Sequence, residues 1–257
     1  MRLSCCAYSY RKALQEGTLS LLDFIRICQQ IGFDGVELTS YYFPTTERGY
    51  LNEVKRFAHS EGVLISGTAV GNDFAQPDSA KRKQHVEMTK QWIDHSVVLG
   101  APTLRVFAGY VREGQSREEA FANVVACLQV CAPYAWERGV QLALENHDGL
   151  TARGEHLLAL LKAVDSKAIG VNLDFGNFVG KIYPEMKIVA PYSIASHAKL
   201  TARGTKPKTH FEVDYAKVRR ILEEADYRGW CAIEYEEEEP AEIAVPAFYK
   251  KLRSAFH

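Results

Sequence analysis

Short apolar runs alternate with longer segments in which apolar residues return at helical spacing, from one end of the chain to the other. The short runs predict strands at Leu3–Ala7, Gly35–Leu38, Leu64–Thr68, Thr103–Phe107, Gln141–Glu145, Gly170–Leu173, Ile194–Lys199 and Ala232–Tyr235. Amphipathic helices are predicted between them, at Ser20–Ile31, Leu51–Ser60, Arg82–Leu99, Arg117–Arg138, Gly154–Val164 and Tyr215–Ala225. In the first of these, Leu21, Phe24, Ile25 and Cys28 trace one face of a helix. Ser20, with Asp23 three positions on, marks its start, and Gly32 marks its end; Gly62, Gly100 and Gly139 close later helices in the same way. Strands alternating with helices imply a parallel sheet. Eight such strands in 257 residues favour an α/β fold of the (β/α)8 TIM-barrel type, with 1–257 as a single domain. A doubly wound open sheet is the alternative, but no GxGxxG follows the first strand.

A barrel makes a further demand on the strands, because alternate residues face the axis and the surrounding helices. If Leu142 and Leu144 face the helices, Ala143 and Glu145 face the axis. Ile169, Val171 and Leu173 facing out leave Asn172 and Asp174 facing in. Ile194 sets Ala195, His197 and Lys199 inward, and Ile233 and Tyr235 set Ala232 and Glu234 inward. Glu145, Asp174, His197 and Glu234 therefore share the axial side, near the C-terminal ends of four successive strands, where barrel enzymes keep their sites.

Composition narrows the function classes. A formal net charge of -1, with no basic stripe, argues against a nucleic-acid partner. The N-terminus, MRLSCCAYSYRK, has no apolar core of a signal peptide, and no apolar run is long enough for a membrane span. Six scattered cysteines without a CxxC pair suggest free thiols and a cytoplasmic location. Cys127 and Cys131 lie four apart on a helix, where packed thiols are the simpler reading. The acidic run Glu236–Glu239 reads most simply as a solvated loop end.

Three carboxylates aimed at one axis repel each other and are costly to bury. A divalent cation resolves the conflict. Three carboxylates with one imidazole suit Mn²⁺ or Mg²⁺, and leave Zn²⁺ or Co²⁺ open. The bland reading is that inward charges pair among themselves, Glu37 with Arg105 being one such pair, and that the lone histidine is structural. The matching parity of four successive strands favours the metal.

At these residues the chain resembles the xylose isomerase-like superfamily of sugar isomerases and epimerases. The strings are LALENH (142–147), GVNLDFGN (170–177), SHAKL (196–200) and AIEYE (232–236), with FDGVEL (33–38) near the start. Their order is the distinctive feature, and it is nearest in pattern to the ketose 3-epimerases. The resemblance implies a metal held by Glu145, Asp174, His197 and Glu234, with Glu145 and Glu234 also exchanging the proton beside a substrate carbonyl through a metal-stabilised enediolate. It implies that Arg203 binds substrate, six positions after His197. Two positions depart: Asn177 stands where those epimerases carry histidine, and Thr151 where they carry glutamate.

The expectation is thus a divalent-metal-dependent isomerase or epimerase acting on a small keto-sugar or related hydroxy-ketone. His147 and Lys199, inward by parity, would steady the oxyanion, carry a proton or support the ligands, and Asn177 would place a ligand or a substrate hydroxyl. A lyase or dehydratase acting on a 3-keto sugar or keto-inositol is the nearest rival. An endonuclease IV-like repair enzyme needs further metal-binding histidines, where this chain has Glu37, Thr68 and Arg105. A sugar-binding barrel without activity of its own is the remaining alternative. In the loops GNDFAQPD (71–78) and AGYVREG (108–114), Phe74, Phe107 and Tyr110 would stack on a sugar ring or pack against a second copy, so a homo-oligomer stays open. Arg203, Lys206 and Lys208 could receive an anion.

Overall fold

The computed structural model describes residues 1–206 and 208–256. The chain runs β1 (Arg2–Cys6), α1 (Arg11–Gln15), α2 (Leu21–Ile31), β2 (Gly35–Thr39), α3 (Arg48–Ser60), β3 (Leu64–Ala69), α4 (Ser79–Leu99), β4 (Thr103–Val106), α5 (Arg117–Glu137), β5 (Gln141–Glu145) and α6 (Gly154–Val164). It continues through β6 (Ile169–Asp174), α7 (Ile182–Val189), β7 (Ser193–Ala198), β8 (Thr201–Arg203), β9 (His210–Glu212), α8 (Tyr215–Glu224), β10 (Trp230–Ile233) and α9 (Ala241–Phe256). Eight of the strands close into a barrel in the order β1-β10-β7-β6-β5-β4-β3-β2, every pair parallel. This is the (β/α)8 barrel the periodicity predicts.

The outward strand residues build the core between sheet and helices. Leu3, Val36, Leu38, Leu104, Leu142, Leu144, Val171, Leu173 and Ile233 are fully buried, as are Phe24, Ile25, Val54, Ile93, Leu128 and Leu157 on the helices that cover them. Each such side chain stabilises the fold by about 1.5–3 kcal/mol relative to exposure. The start of α2 is a capping box: Ser20 Oγ accepts from the Asp23 N–H at 3.1 Å, and the Asp23 carboxylate accepts from the Ser20 N–H at 3.4 Å. Gly32 ends that helix at φ 103°, a conformation that a side chain would strain.

Some details lay outside the pattern. The ladder between β6 and β7 shifts: Val171 faces Ser193, whereas Asn172 faces Ala195, so Ile194 is passed over and the axial parity begins at Ala195. β10 ends at Ile233, one residue short of Glu234, yet the Glu234 N–H still donates to the Ala198 carbonyl at 3.0 Å. The helices α7 and α9, each containing a proline that interrupts its apolar rhythm, are additional to the predicted set. The antiparallel hairpin β8–β9, inserted after β7, is likewise additional. Phe74 is fully buried in the core, not free to meet a sugar. All six cysteines are free and buried, Cys127 and Cys131 within the core. No helix among the described residues is long and apolar enough to cross a membrane.

Candidate metal centre

Glu145 ends β5, Asp174 ends β6, His197 lies one residue from the end of β7, and Glu234 follows β10. All four are buried, and one ligand atom from each lies within 4.8 Å of all the others. His197 Nδ1 stands 3.4 Å from Glu234 Oε2, 3.7 Å from Glu145 Oε2 and 4.0 Å from Asp174 Oδ2. Parity and strand ends thus bring the predicted set to one point at the C-terminal mouth.

Each ligand candidate is also held by neighbouring groups. Asp174 Oδ1 accepts from the N–H groups of Gly176 and Asn177 at 2.7 and 2.9 Å. Gly176 is required there, because a Cβ would lie 2.6 Å from the Thr201 carbonyl oxygen and 2.8 Å from Lys199 Cβ. Asn146 braces the same strand, accepting from the Asp174 N–H at 2.7 Å and donating to its carbonyl at 2.9 Å. Glu145 receives Asn172 Nδ2 at 3.2 Å and Asn177 Nδ2 at 3.1 Å, and its Oε2 lies 3.2 Å from Arg105 Nε. Glu234 Oε2 lies 2.7 Å from Lys199 Nζ, which also reaches Asp174 Oδ2 at 3.7 Å and Glu236 at 2.5 Å. His197 Nε2 meets both oxygens of Glu37, at 2.9 and 3.1 Å.

Two buried atoms are left without a hydrogen-bond partner in this set: Asp174 Oδ2 and His197 Nδ1. Both point into the space that the four side chains enclose. Buried polar atoms are rarely left bare, so this pair needs an account. A cation supplies one, and the residues fit it: hard oxygen donors with one imidazole, each steadied from behind.

The electrostatics agree. The buried cluster sets four carboxyl groups, Glu37, Glu145, Asp174 and Glu234, against three basic groups, Arg105, Lys199 and His197. Burial pushes the Asp174 carboxyl up to about 7, against the pull of Lys199. Burial likewise raises Glu145, although Arg105 opposes it. Burial would also raise Glu234, but Lys199 and His197 hold it well below the usual carboxylate range. Burial would lower His197, yet Glu37 and Glu234 raise it well above the usual histidine range.

Around this point the family of the chain is decided. A model of the xylose isomerase-like TIM barrel family matches residues 25–252. The chain belongs to that family. Among solved structures it is similar to D-psicose 3-epimerase from Clostridium cellulolyticum H10, with a TM-score of 0.83 at 16% identity over 100% of both chains. It is similar also to the probable 3-DHS dehydratase AsbF from Bacillus anthracis, with a TM-score of 0.77 at 18% identity over 98% of this chain and 99% of that one. A third is 3-keto-D-glucoside 4-epimerase from E. coli, with a TM-score of 0.74 at 17% identity over 91% and 94%. No curated protein sequence matches the chain. At these identities the likenesses speak for the fold.

The remaining predicted residues sit at the same mouth with partners of their own. Asn177 bonds Glu145, and Lys199 bridges Glu234 and Glu236. The His147 ring lies 5.0 Å from the Phe107 ring, and its Nδ1 is 3.1 Å from the Tyr110 hydroxyl. The Thr151 hydroxyl accepts from the His147 N–H at 3.0 Å. Arg203 is paired with Asp148. The expected Glu37–Arg105 pair does not form: Glu37 serves His197, while Arg105 serves Glu145 and stacks over Phe107 with its guanidinium carbon 3.9 Å from the ring centre. Both residues were expected to face inward, but the partner of each depends on the stagger of the strands around the barrel. Cys6, whose Sγ lies 3.8 Å from Glu234 Oε1, was outside the predicted set. Its place near the end of an inward-facing strand was the available signal.

Proposed function

We propose that this chain is a divalent-metal-dependent isomerase or epimerase of a keto-sugar or related hydroxy-ketone. The observation that carries the reading is a pair of buried atoms without a hydrogen bond, Asp174 Oδ2 and His197 Nδ1, set between two glutamates. Glu145, Asp174, His197 and Glu234 would hold one ion, Mn²⁺ or Mg²⁺ by their oxygen-rich donor set, with Zn²⁺ or Co²⁺ also compatible. Bound there, the ion supplies Lewis-acid polarisation of a carbonyl. Glu145 and Glu234 approach the centre from strands three steps apart around the barrel. One takes the proton beside the carbonyl and the other returns one to the opposite face, a transfer that requires each carboxylate to come within hydrogen-bond reach of the reacting carbon. Asn177 holds Glu145 in place and Lys199 holds Glu234, while His147 and Arg203 line the approach for substrate hydroxyls.

The test is metal content together with deuterium uptake from D₂O into a panel of ketoses. About one ion per chain and exchange that Glu145→Gln abolishes is the expected result. A metal-free protein, or exchange unchanged in Glu145→Gln, overturns the reading. A second reading, loss of a β-leaving group from a 3-keto substrate, is supported by the probable dehydratase among the similar folds. Elimination yields a conjugated enone with ultraviolet absorption, and epimerisation does not.

A further inference from the structure

We infer that Glu37 is the positioning residue that makes His197 present Nδ1, and not Nε2, to the ion; the inference rests on the four-ligand reading above. Glu37 stands on β2, across the barrel from β7, and is only 4% exposed. Both of its oxygens face His197 Nε2, at 2.9 and 3.1 Å. An ionised carboxylate only accepts hydrogen bonds, so the ring must carry its proton on Nε2. A neutral imidazole then has its lone pair on Nδ1. That nitrogen faces carboxylate oxygens alone, at 3.4, 3.7 and 4.0 Å. Those separations are long for hydrogen bonds. They suit atoms that share an ion, because two ligands each about 2.1 Å from a cation stand roughly 3–4 Å apart. The opposite tautomer would turn a lone pair on Nε2 against the Glu37 carboxylate.

Cys6, Glu37 and His197 form a second group close enough to hold an ion. His197 Nε2 cannot both donate to Glu37 and ligate a metal. The Cys6 thiol has contacts of its own, at 3.7 Å to the Thr39 hydroxyl and 3.8 Å to Glu234. Glu37 therefore supports one centre instead of building another.

The experiment uses full-length protein with ¹⁵N-labelled histidine and long-range ¹H–¹⁵N correlation, His197 being assigned by its loss in His197→Gln. With one equivalent of Zn²⁺ bound, wild type is expected to keep its ring proton on Nε2 with the metal on Nδ1, and Glu37→Gln, whose amide oxygen still accepts, to keep that arrangement. Glu37→Ala is expected to lose it. On titration with Zn²⁺, Nδ1 should shift while the Nε2 proton stays, at one equivalent per chain. Affinity for Zn²⁺ should fall about 10–100-fold in Glu37→Ala and less in Glu37→Gln. If Glu37→Ala does not fold, the wild-type tautomer and Glu37→Gln decide the matter. An Nδ1–H tautomer, or a second equivalent of Zn²⁺ that Cys6→Ala removes, overturns the inference while leaving a metal centre in place. A wild-type chain that binds no Zn²⁺ overturns the metal reading and this inference together.

Discussion

The two ends of the barrel are both charged, but they differ in how their charges are kept. At the N-terminal end a cavity of about 800 Å³ is lined by Arg2, Asp34, Arg219, Glu223, Arg228 and Arg253, among others. Its ions meet in solvent: Arg228 and Asp226, 2.6 Å apart, have side chains 85% and 79% exposed. At the C-terminal mouth the charges are shut in. Arg105 and Glu145 are 4% and 3% exposed, and Lys199 and Glu234 are 8% and 7%. Exposed pairs contribute little and are replaceable. Buried charges cost several kcal/mol each to desolvate and persist only where something compensates them. The N-terminal cavity is therefore the weaker candidate for a site, and the buried cluster at the mouth the stronger one.

The sharpest way to break this comparison is at the mouth. Asp174→Asn should abolish stoichiometric metal binding, a loss beyond the roughly 10–100-fold expected for a supporting residue; metal analysis after dialysis checks it. Arg105→Ala should come next, because it leaves Glu145 buried without its cation. It is expected to destabilise the metal-free protein by about 3–5 kcal/mol, or about 10 °C in melting temperature, in thermal denaturation. Adding Mn²⁺ at about 100 times its dissociation constant should stabilise wild type by about 2.7 kcal/mol, and Asp174→Asn not at all.

A smaller effect concerns pH. The Asp174 carboxyl, raised to about 7, adds stability to the metal-free fold below its unfolded value, and loses that contribution as pH rises through about 7. Ion binding has the opposite slope, since the ligand must shed that proton. Affinity should climb by up to about tenfold per pH unit below neutrality, with proton release seen by calorimetry in buffers of different ionisation heat. At the other end of the barrel, Arg228→Ala should change stability by no more than about 0.5 kcal/mol and leave metal content untouched. A large effect there would undo the contrast between the two ends.

The four ligand candidates were legible in the sequence because strand parity is a local property. Leu142 and Leu144 flanking Ala143, then Glu145, fix a direction without knowledge of any other strand. What joins across the barrel was not legible. Glu37 and His197 are 160 positions apart, and their meeting depends on the stagger of every strand between them, including the passed-over Ile194. The acidic run after β10 was half legible: Glu238 and Glu239 are solvated as expected, but Glu236 turns back to Lys199 and Glu237 accepts from the Thr201 hydroxyl at 2.7 Å. A run of like charges conceals which members have partners.

Among the described residues the β8–β9 hairpin shares no strand ladder with the barrel, although its strand β8 meets Val179 in a single bridge and Arg203 reaches Asp148. Its base is nevertheless tied to the site, because the Gly176 carbonyl accepts from the Arg203 N–H at 3.3 Å while the Gly176 N–H holds Asp174 Oδ1 at 2.7 Å. Change at the base of the hairpin would therefore be felt at Asp174, whereas change at its exposed tip, around Thr205 and Lys206, would alter the mouth without moving the four inward side chains.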